Sequence, residues 1–268
     1  MFIAAVIECM ILITIVIKCL TFLATDIQCM IFVTTDLQCL TFVGYDKQCL
    51  IFVAFDIQCL IFVATDIQSL IIIATDIKCL TFVATLKQCM IFVAIDIKFL
   101  ICIATDKQCL IFVYNGIQPV ILIAKDIESL IFIDSYIECL IFGANNKELL
   151  IFIANDIKFL TFVASDIQCL ALIATNIQCL TFVDTDIQCL IFVANDLLCL
   201  IFIDSDKQSP TTVANDTQSL IFVATEANFL IFIANNIQSL IFIATDIEGL
   251  IFVAIDIYFL TFVATAIQ

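Results

Sequence analysis

Two side-chain types with chemical potential recur at a fixed spacing. Aspartate stands at Asp26, Asp36, Asp46 and onward to Asp256, and cysteine at Cys9, Cys19, Cys29 and onward to Cys199, both columns on a ten-residue interval. Stacked carboxylates would bind a divalent cation or share a proton in acid–base catalysis, and stacked thiols would bind a soft metal or oxidise to disulfides. Neither column resolves into a site. A calcium cage needs further oxygens and tight glycine turns, but the chain has 4 Gly and nothing around Asp66 supplies the extra ligands. No aspartate pair differs from the other copies, so acid–base chemistry has no anchor. Cys-x9-Cys is neither a zinc nor a redox spacing, and the cysteine column also holds Ser69, Phe99, Pro119, Leu149 and Gly249. The expectation is a small buried hydrophobe in that column, with occasional disulfides between neighbouring repeats as the alternative. Nucleophilic catalysis lacks a base, because there is no His, and no phosphate loop or nucleophile elbow occurs. Catalytic, cofactor-binding and metal-ligating residues are therefore none, no cofactor or small-molecule substrate is implied, and the chain reads as a non-enzyme. A threonine column at Thr25, Thr35, Thr65 and Thr75 suggests an ice-binding face, but its replacement by Asn, Ser, Phe55 and Lys125 fits a corner better.

What positions these columns is a ten-residue phrase, clearest at Cys59-Leu60-Ile61-Phe62-Val63-Ala64-Thr65-Asp66-Ile67-Gln68 and repeated with substitutions along the chain. On a helix, ten residues fall about 80° short of three turns, so an apolar stripe would spiral away from any partner. In extended chain an even period returns every side chain to the same face. Ile, Val, Thr and Phe are strand residues, with Leu60 to Ala64 reading as a short strand and Thr65-Asp66 as the corner after it. The predicted fold is all-β, an elongated parallel β-solenoid with ten or twenty residues per coil; the alternative is a set of hydrophobic membrane helices.

Substitutions within columns refine this. Asp becomes Asn176, Tyr136, Gly116, Glu226 and Ala266, and Ile becomes Thr21 or Lys47, each one nucleotide away but chemically unlike. That is the signature of an expanded thirty-base tandem repeat drifting by point mutation. The columns through Leu60 and Phe62 stay almost entirely apolar and are the expected inward face. Thr65-Asp66-Ile67-Gln68-Ser69 resembles one unit of the pentapeptide-repeat family, in which a small residue, Asp or Asn, and a central Leu or Phe precede two variable positions. The resemblance covers half of each decapeptide and implies a right-handed four-sided β-helix with two decapeptides per coil.

The chain is 268 residues long, 64% hydrophobic, with a formal net charge of −16 and a mean hydropathy of +1.22. With no Arg or His and only ten Lys it lacks the basic stripe that phosphates require, which excludes nucleic acid as a partner. Residues 1–25 form a divergent apolar stretch where Val6 and Val16 replace the aspartate, expected to be either a cap or a membrane-associated segment. Glu8 and Lys18 divide it into runs shorter than the roughly 20 residues of a span, and its start lacks the basic residues of a signal peptide. Residues 26–268 keep the register without a linker. The points of expected bending are Tyr114 to Pro119 and Asp206 to Thr212, which contain both prolines.

The functional expectation is a non-catalytic structural or interaction tandem-repeat protein that associates with itself. Its competitors are membrane association and a translated repeat without selected function; no compartment follows from the residues. Self-association is the reading the composition favours. Cys-Leu-Ile-Phe-Val-Ala-Thr is an uncharged, proline-free and glycine-free strand segment of steric-zipper type, and alternation must leave either the Ile61/Val63 set or the Leu60/Phe62 set facing outward. The aspartate charge opposes association until pH falls toward the sequence pI of about 4.1.

Overall fold

The computed structural model describes residues 2–267, apart from the side chains of 86, 87, 106, 107, 206–209, 227, 228, 266 and 267. Four extended segments follow one another: β1 (Phe2–Gly44), β2 (Lys47–Ile97), β3 (Leu100–Val113) and β4 (Gly116–Ile267). Each is a long ribbon that turns corners and pairs in parallel with chain twenty residues away. Cys29 lies beside Cys49, Phe32 beside Phe52, Leu80 beside Leu100 and Ile111 beside Ile131. The molecule is therefore a parallel β-solenoid with two decapeptides per coil, which decides between the ten- and twenty-residue coils. The alternative of membrane helices is overturned: the described residues contain no helix, and so none long and apolar enough to cross a membrane.

The inward set is wider than the two expected columns. Leu60 and Phe62 are buried, but so are Ala64 and Ile67, and the pattern returns at Leu70, Ile72, Ala74 and Ile77. Inward positions thus step by two along the strand and by three around each corner. At Asp66, Asp126, Asn146 and Asp166 the corner residue takes φ of 50–55°, whereas the same three-residue step from Ala54 to Ile57 and from Ala94 to Ile97 is made without a left-handed residue. Asp and Asn tolerate this left-handed conformation better than other L-residues, so the aspartate column is first a corner column. In the segment that resembles a pentapeptide unit, Ile67 faces inward. The unit's small residue Thr65 stays half-exposed, however, and the small residue turned inward is Ala64.

The cysteine column corrects an expectation. These residues are not buried: Cys29, Cys39, Cys49, Cys59 and most of the others are half-exposed, and Cys9 and Cys19 are exposed. They immediately precede the inward Leu60 column and so fall on the outward parity. The buried cysteine is Cys102, which stands in the phenylalanine column instead.

The chain divides into two compact units, Met1–Asp134 and Ser135–Gln268. In the first, Phe2, Phe22, Phe42, Phe62 and Phe82 stack ring on ring at 4.7–5.2 Å between centroids. Phe22 and Phe42 share one narrow internal space with Phe32 and Phe52, so the two halves of a coil face each other across the core. In the second unit Phe142, Phe162, Phe182, Phe202, Phe222, Phe242 and Phe262 stack at 4.7–5.1 Å with rings within 13° of parallel. Burying each ring contributes about 2–3 kcal/mol, and each stacked pair adds about 0.5–1.5 kcal/mol.

Of the two expected bends, Tyr114-Asn115 does interrupt the strand, whereas the backbone from Asp206 to Thr212 continues in it. The side chains of residues 206–209 lie outside the described set. Tyr45-Asp46 and Lys98-Phe99 also interrupt it. At Tyr114 a large ring occupies the alanine column and is 4% exposed. Space for it comes from the neighbouring phenylalanine column, which reads Cys102 and Leu122 where rings stand elsewhere. Tyr114 packs among Phe92, Phe112 and Phe132 at 5.5–5.7 Å, and Phe112 tilts by 51° from Phe92 and by 52° from Phe132 instead of stacking. Truncation by Tyr114→Ala should cost about 3 kcal/mol through the cavity it leaves. Adding Cys102→Phe should recover part of that loss, although Cys102→Phe alone overpacks the core and destabilises it. Denaturant melts of the two single variants and the double variant measure this coupling.

Candidate functional site

The corner carries the densest polar array, and its chemistry is mostly spent on its own neighbours one coil away. Asn235 donates to Asn215 and Asn215 to Asn195, both at 3.1 Å. Asn176 donates to Asp156 at 2.6 Å and Asn236 to Asp216 at 2.7 Å. The threonine column behaves alike: Thr25 donates to the carbonyl of Ala5, Thr225 to Ser205, Thr245 to Thr225, and Thr265 to Thr245 at 2.6 Å. These hydroxyls tie coil to coil and do not form a free, regularly spaced face.

In the first unit Asp36, Asp56, Asp76 and Asp96 line one side of an open groove with Gln38, Gln58, Lys78 and Lys98. The carboxylates succeed one another at the strand spacing and are not gathered around a point. Among the described residues no three Cys, Asp or Glu converge in a way that would hold a metal ion. The candidate column is therefore present as a line of corner residues, and its members are brought together only in sequence along the stack.

Ionisable side chains in the core form a group of which the sequence reading noted only Lys47, as a substitution and not as a buried residue. Lys47 and Lys147 are 1% and 2% exposed in the isoleucine column, and Asp134, Asp184 and Asp204 are 1–3% exposed in the alanine column. Their signal was legible, since each stands in a column that is apolar in most repeats. Asp184 accepts hydrogen bonds from the amides of Thr185 at 2.6 Å and Asp186 at 3.1 Å, which satisfies one carboxylate oxygen within its own corner. Lys47 reaches the carbonyl of Ala24 at 3.4 Å, with its ammonium 4.9 Å from the centre of the Phe42 ring. Gly44 makes this possible. A Cβ there would lie 2.0 Å from the Lys47 Cε, so the alanine usual at this position is replaced by the residue that leaves room.

Burial pushes the Lys47 ammonium down to about 8, partly offset by the Asp26 carboxylate. A lysine in that range is a competent nucleophile in an open cleft, but this one is sealed in the core where no substrate reaches it. No family model, curated protein or solved structure matches the chain.

Two tests follow from the corner and the core. Asp166→Val places a β-branched residue in the left-handed region and should destabilise by about 1–2 kcal/mol, while Asp166→Asn should be close to neutral in the same melt. For Lys47 the unfolded chain binds its proton up to about 10.5 and the folded chain only up to about 8. The penalty is therefore complete below pH 8 and is relieved as pH rises from 8 to 10.5, by on the order of 3 kcal/mol. Lys47→Ile should be more stable than the parent at pH 7, and the difference between the two should shrink through that window. Titrating thiols are common to both proteins and cancel in the difference.

Proposed function

We propose that the chain is a non-catalytic structural repeat protein whose partner is a second copy of itself. The observation that carries this reading is the pair of apolar faces that each coil turns outward. Ile61, Val63, Ile141 and Val163 are 36–49% exposed on one half of the coil, and Ile73, Ile133, Ile153, Ile173 and Ile191 are similarly exposed on the other. Within each unit these ladders lack charge and recur with the spacing of the coil. The surface that best fits a ladder of that spacing is the same ladder on another molecule, with side chains interdigitating about 10 Å from sheet to sheet. Flanking aspartate corners set the opposing term. With a formal net charge of −16, molecules repel at neutral pH, and protonation removes that barrier.

Light scattering from pH 8 to pH 4 tests the proposal. Scattering should rise steeply toward pH 4, and Ile61→Thr/Ile141→Thr/Ile191→Thr should suppress the rise. Threonine already fills this column at Thr41, Thr81, Thr161 and Thr181, so the variant keeps the fold. A monodisperse monomer across the whole range, or an equal rise in the triple variant, would overturn the reading. Flotation of the chain with lipid vesicles in place of self-association would assign the same faces to a membrane surface.

A second reading has its own support. Lysine and aspartate in core columns are what point mutation leaves in a repeat array that expanded without selection on packing. Peptides of the chain detected by mass spectrometry in its source cells, at an abundance well above background translation, would count against it.

A further inference from the structure

The cysteine columns have a consequence independent of self-association. We propose that they are a site of oxidative modification, in which disulfides form between cysteines twenty residues apart and staple successive coils. The parallel register sets Cys39 beside Cys59, Cys29 beside Cys49 and Cys89 beside Cys109. Neighbouring α-carbons in such a ladder lie about 4.8 Å apart with both β-carbons on one side of the strand. That separation falls inside the range of about 4.4–6.8 Å that a disulfide spans. The thiols are near enough to influence one another: Cys39 interacts with both Cys19 and Cys59, Cys109 with Cys89, Cys169 with Cys189, and Cys179 with Cys199. Rotation about the two Cα–Cβ bonds closes the remaining gap, and the column's half-exposure admits a small oxidant.

The oxidant is a low-molecular-weight disulfide such as oxidised glutathione. A Cys39 thiolate attacks one of its sulfurs, forming a mixed disulfide and releasing one glutathione thiol. The thiolate of Cys59 then attacks the Cys39 sulfur, forming the protein disulfide and releasing the second. Two protein thiols are oxidised, one glutathione disulfide is reduced to two thiols, and the protons of the protein thiols pass to the departing thiolates. Burial and the adjacent thiol both hold the Cys39 thiol above its usual range, so the reaction runs faster at pH 9 than at pH 7.

Ladder boundaries fix the pattern. Ser69 ends the run Cys9, Cys29, Cys49, and Phe99 ends the run Cys19, Cys39, Cys59, Cys79, while Cys139 has Pro119 and Phe159 twenty residues to either side in sequence. Cys102 is sealed in the core. Complete oxidation therefore yields six disulfides, leaving Cys102, Cys139 and one member of the Cys9 run as thiols or, at the two accessible sites, glutathione adducts.

The experiment treats the dilute, folded full-length chain with oxidised glutathione at pH 8, blocks remaining thiols before denaturation, digests without reductant and maps the cross-links by mass spectrometry. Expected are links with a separation of twenty, including Cys39–Cys59 or its alternatives Cys19–Cys39 and Cys59–Cys79, together with Cys169–Cys189 and Cys179–Cys199. Cys39→Ser supplies the sharper arm, and serine is already accommodated in this column at Ser69, Ser129 and Ser219. There Cys19 should become a glutathione adduct while Cys59 pairs with Cys79, because Cys19 and Cys59 are two strand spacings apart. Links with a separation of ten, links between chains, a Cys19–Cys59 link in the variant, or adducts without any intramolecular disulfide would each overturn the proposal.

Discussion

Everything in this molecule depends on in-register parallel stacking, which makes each side chain a neighbour of its own equivalent one coil away. For phenylalanine that is a gain, since rings at 4.7–5.2 Å stack and exclude water together. For aspartate it is a cost of about 1 kcal/mol per adjacent pair in water, less with salt. Asparagine reverses the sign. Where Asn176 and Asn236 interrupt the acidic column, an amide donates to the carboxylate of the preceding coil, and Asn195, Asn215 and Asn235 extend the same device without charge. Threonine uses its hydroxyl to reach the preceding backbone, and cysteine stands beside cysteine. A column's chemistry is thus decided by whether its residue can bond to a copy of itself.

Corners are the second constraint, because a coil of twenty residues must change direction without breaking the ladder. Each corner adds one position between inward side chains, so that Ala64 and Ile67 both face the core; at Asp66 and Asp166 the corner residue is left-handed. At Lys47 a long side chain enters the isoleucine column where the adjacent corner residue, Gly44, has no Cβ.

The strand, its parallel stacking and the inward Leu60 and Phe62 columns were legible because an even period and persistent apolarity leave few alternatives. The coil length did not follow from the period, since ten and twenty residues per turn produce identical columns; only the half-unit resemblance to a pentapeptide repeat implied twenty. The burial usual for cysteine misplaced that column, although alternation from Leu60 turns Cys59 outward, and alternation carries the inward set from Phe62 to Ala64 but not across the corner to Ile67, where the parity changes. The pairing of Tyr114 with the vacancy at Cys102 joins positions twelve residues apart on two halves of the coil. Only the face-to-face arrangement of those halves brings them into one layer.

The core's tolerance follows from the same architecture. Each layer of a solenoid contacts only the layers beside it, so an unsuitable residue costs its local stability without misdirecting the whole stack. A globular core offers no such isolation, and buried lysines and aspartates in similar number would threaten the entire domain. Here Lys47 is accommodated by Gly44 and a carbonyl of the neighbouring coil, and Asp184 turns to the amides of its own corner. Tyr114 occupies space left by Cys102 and Leu122. Such repairs are short-range and each needs only one or two substitutions. An array of this kind can therefore lengthen by copying its repeat and acquire its individuality afterwards, layer by layer. The stacked phenylalanines hold the register while the other columns change.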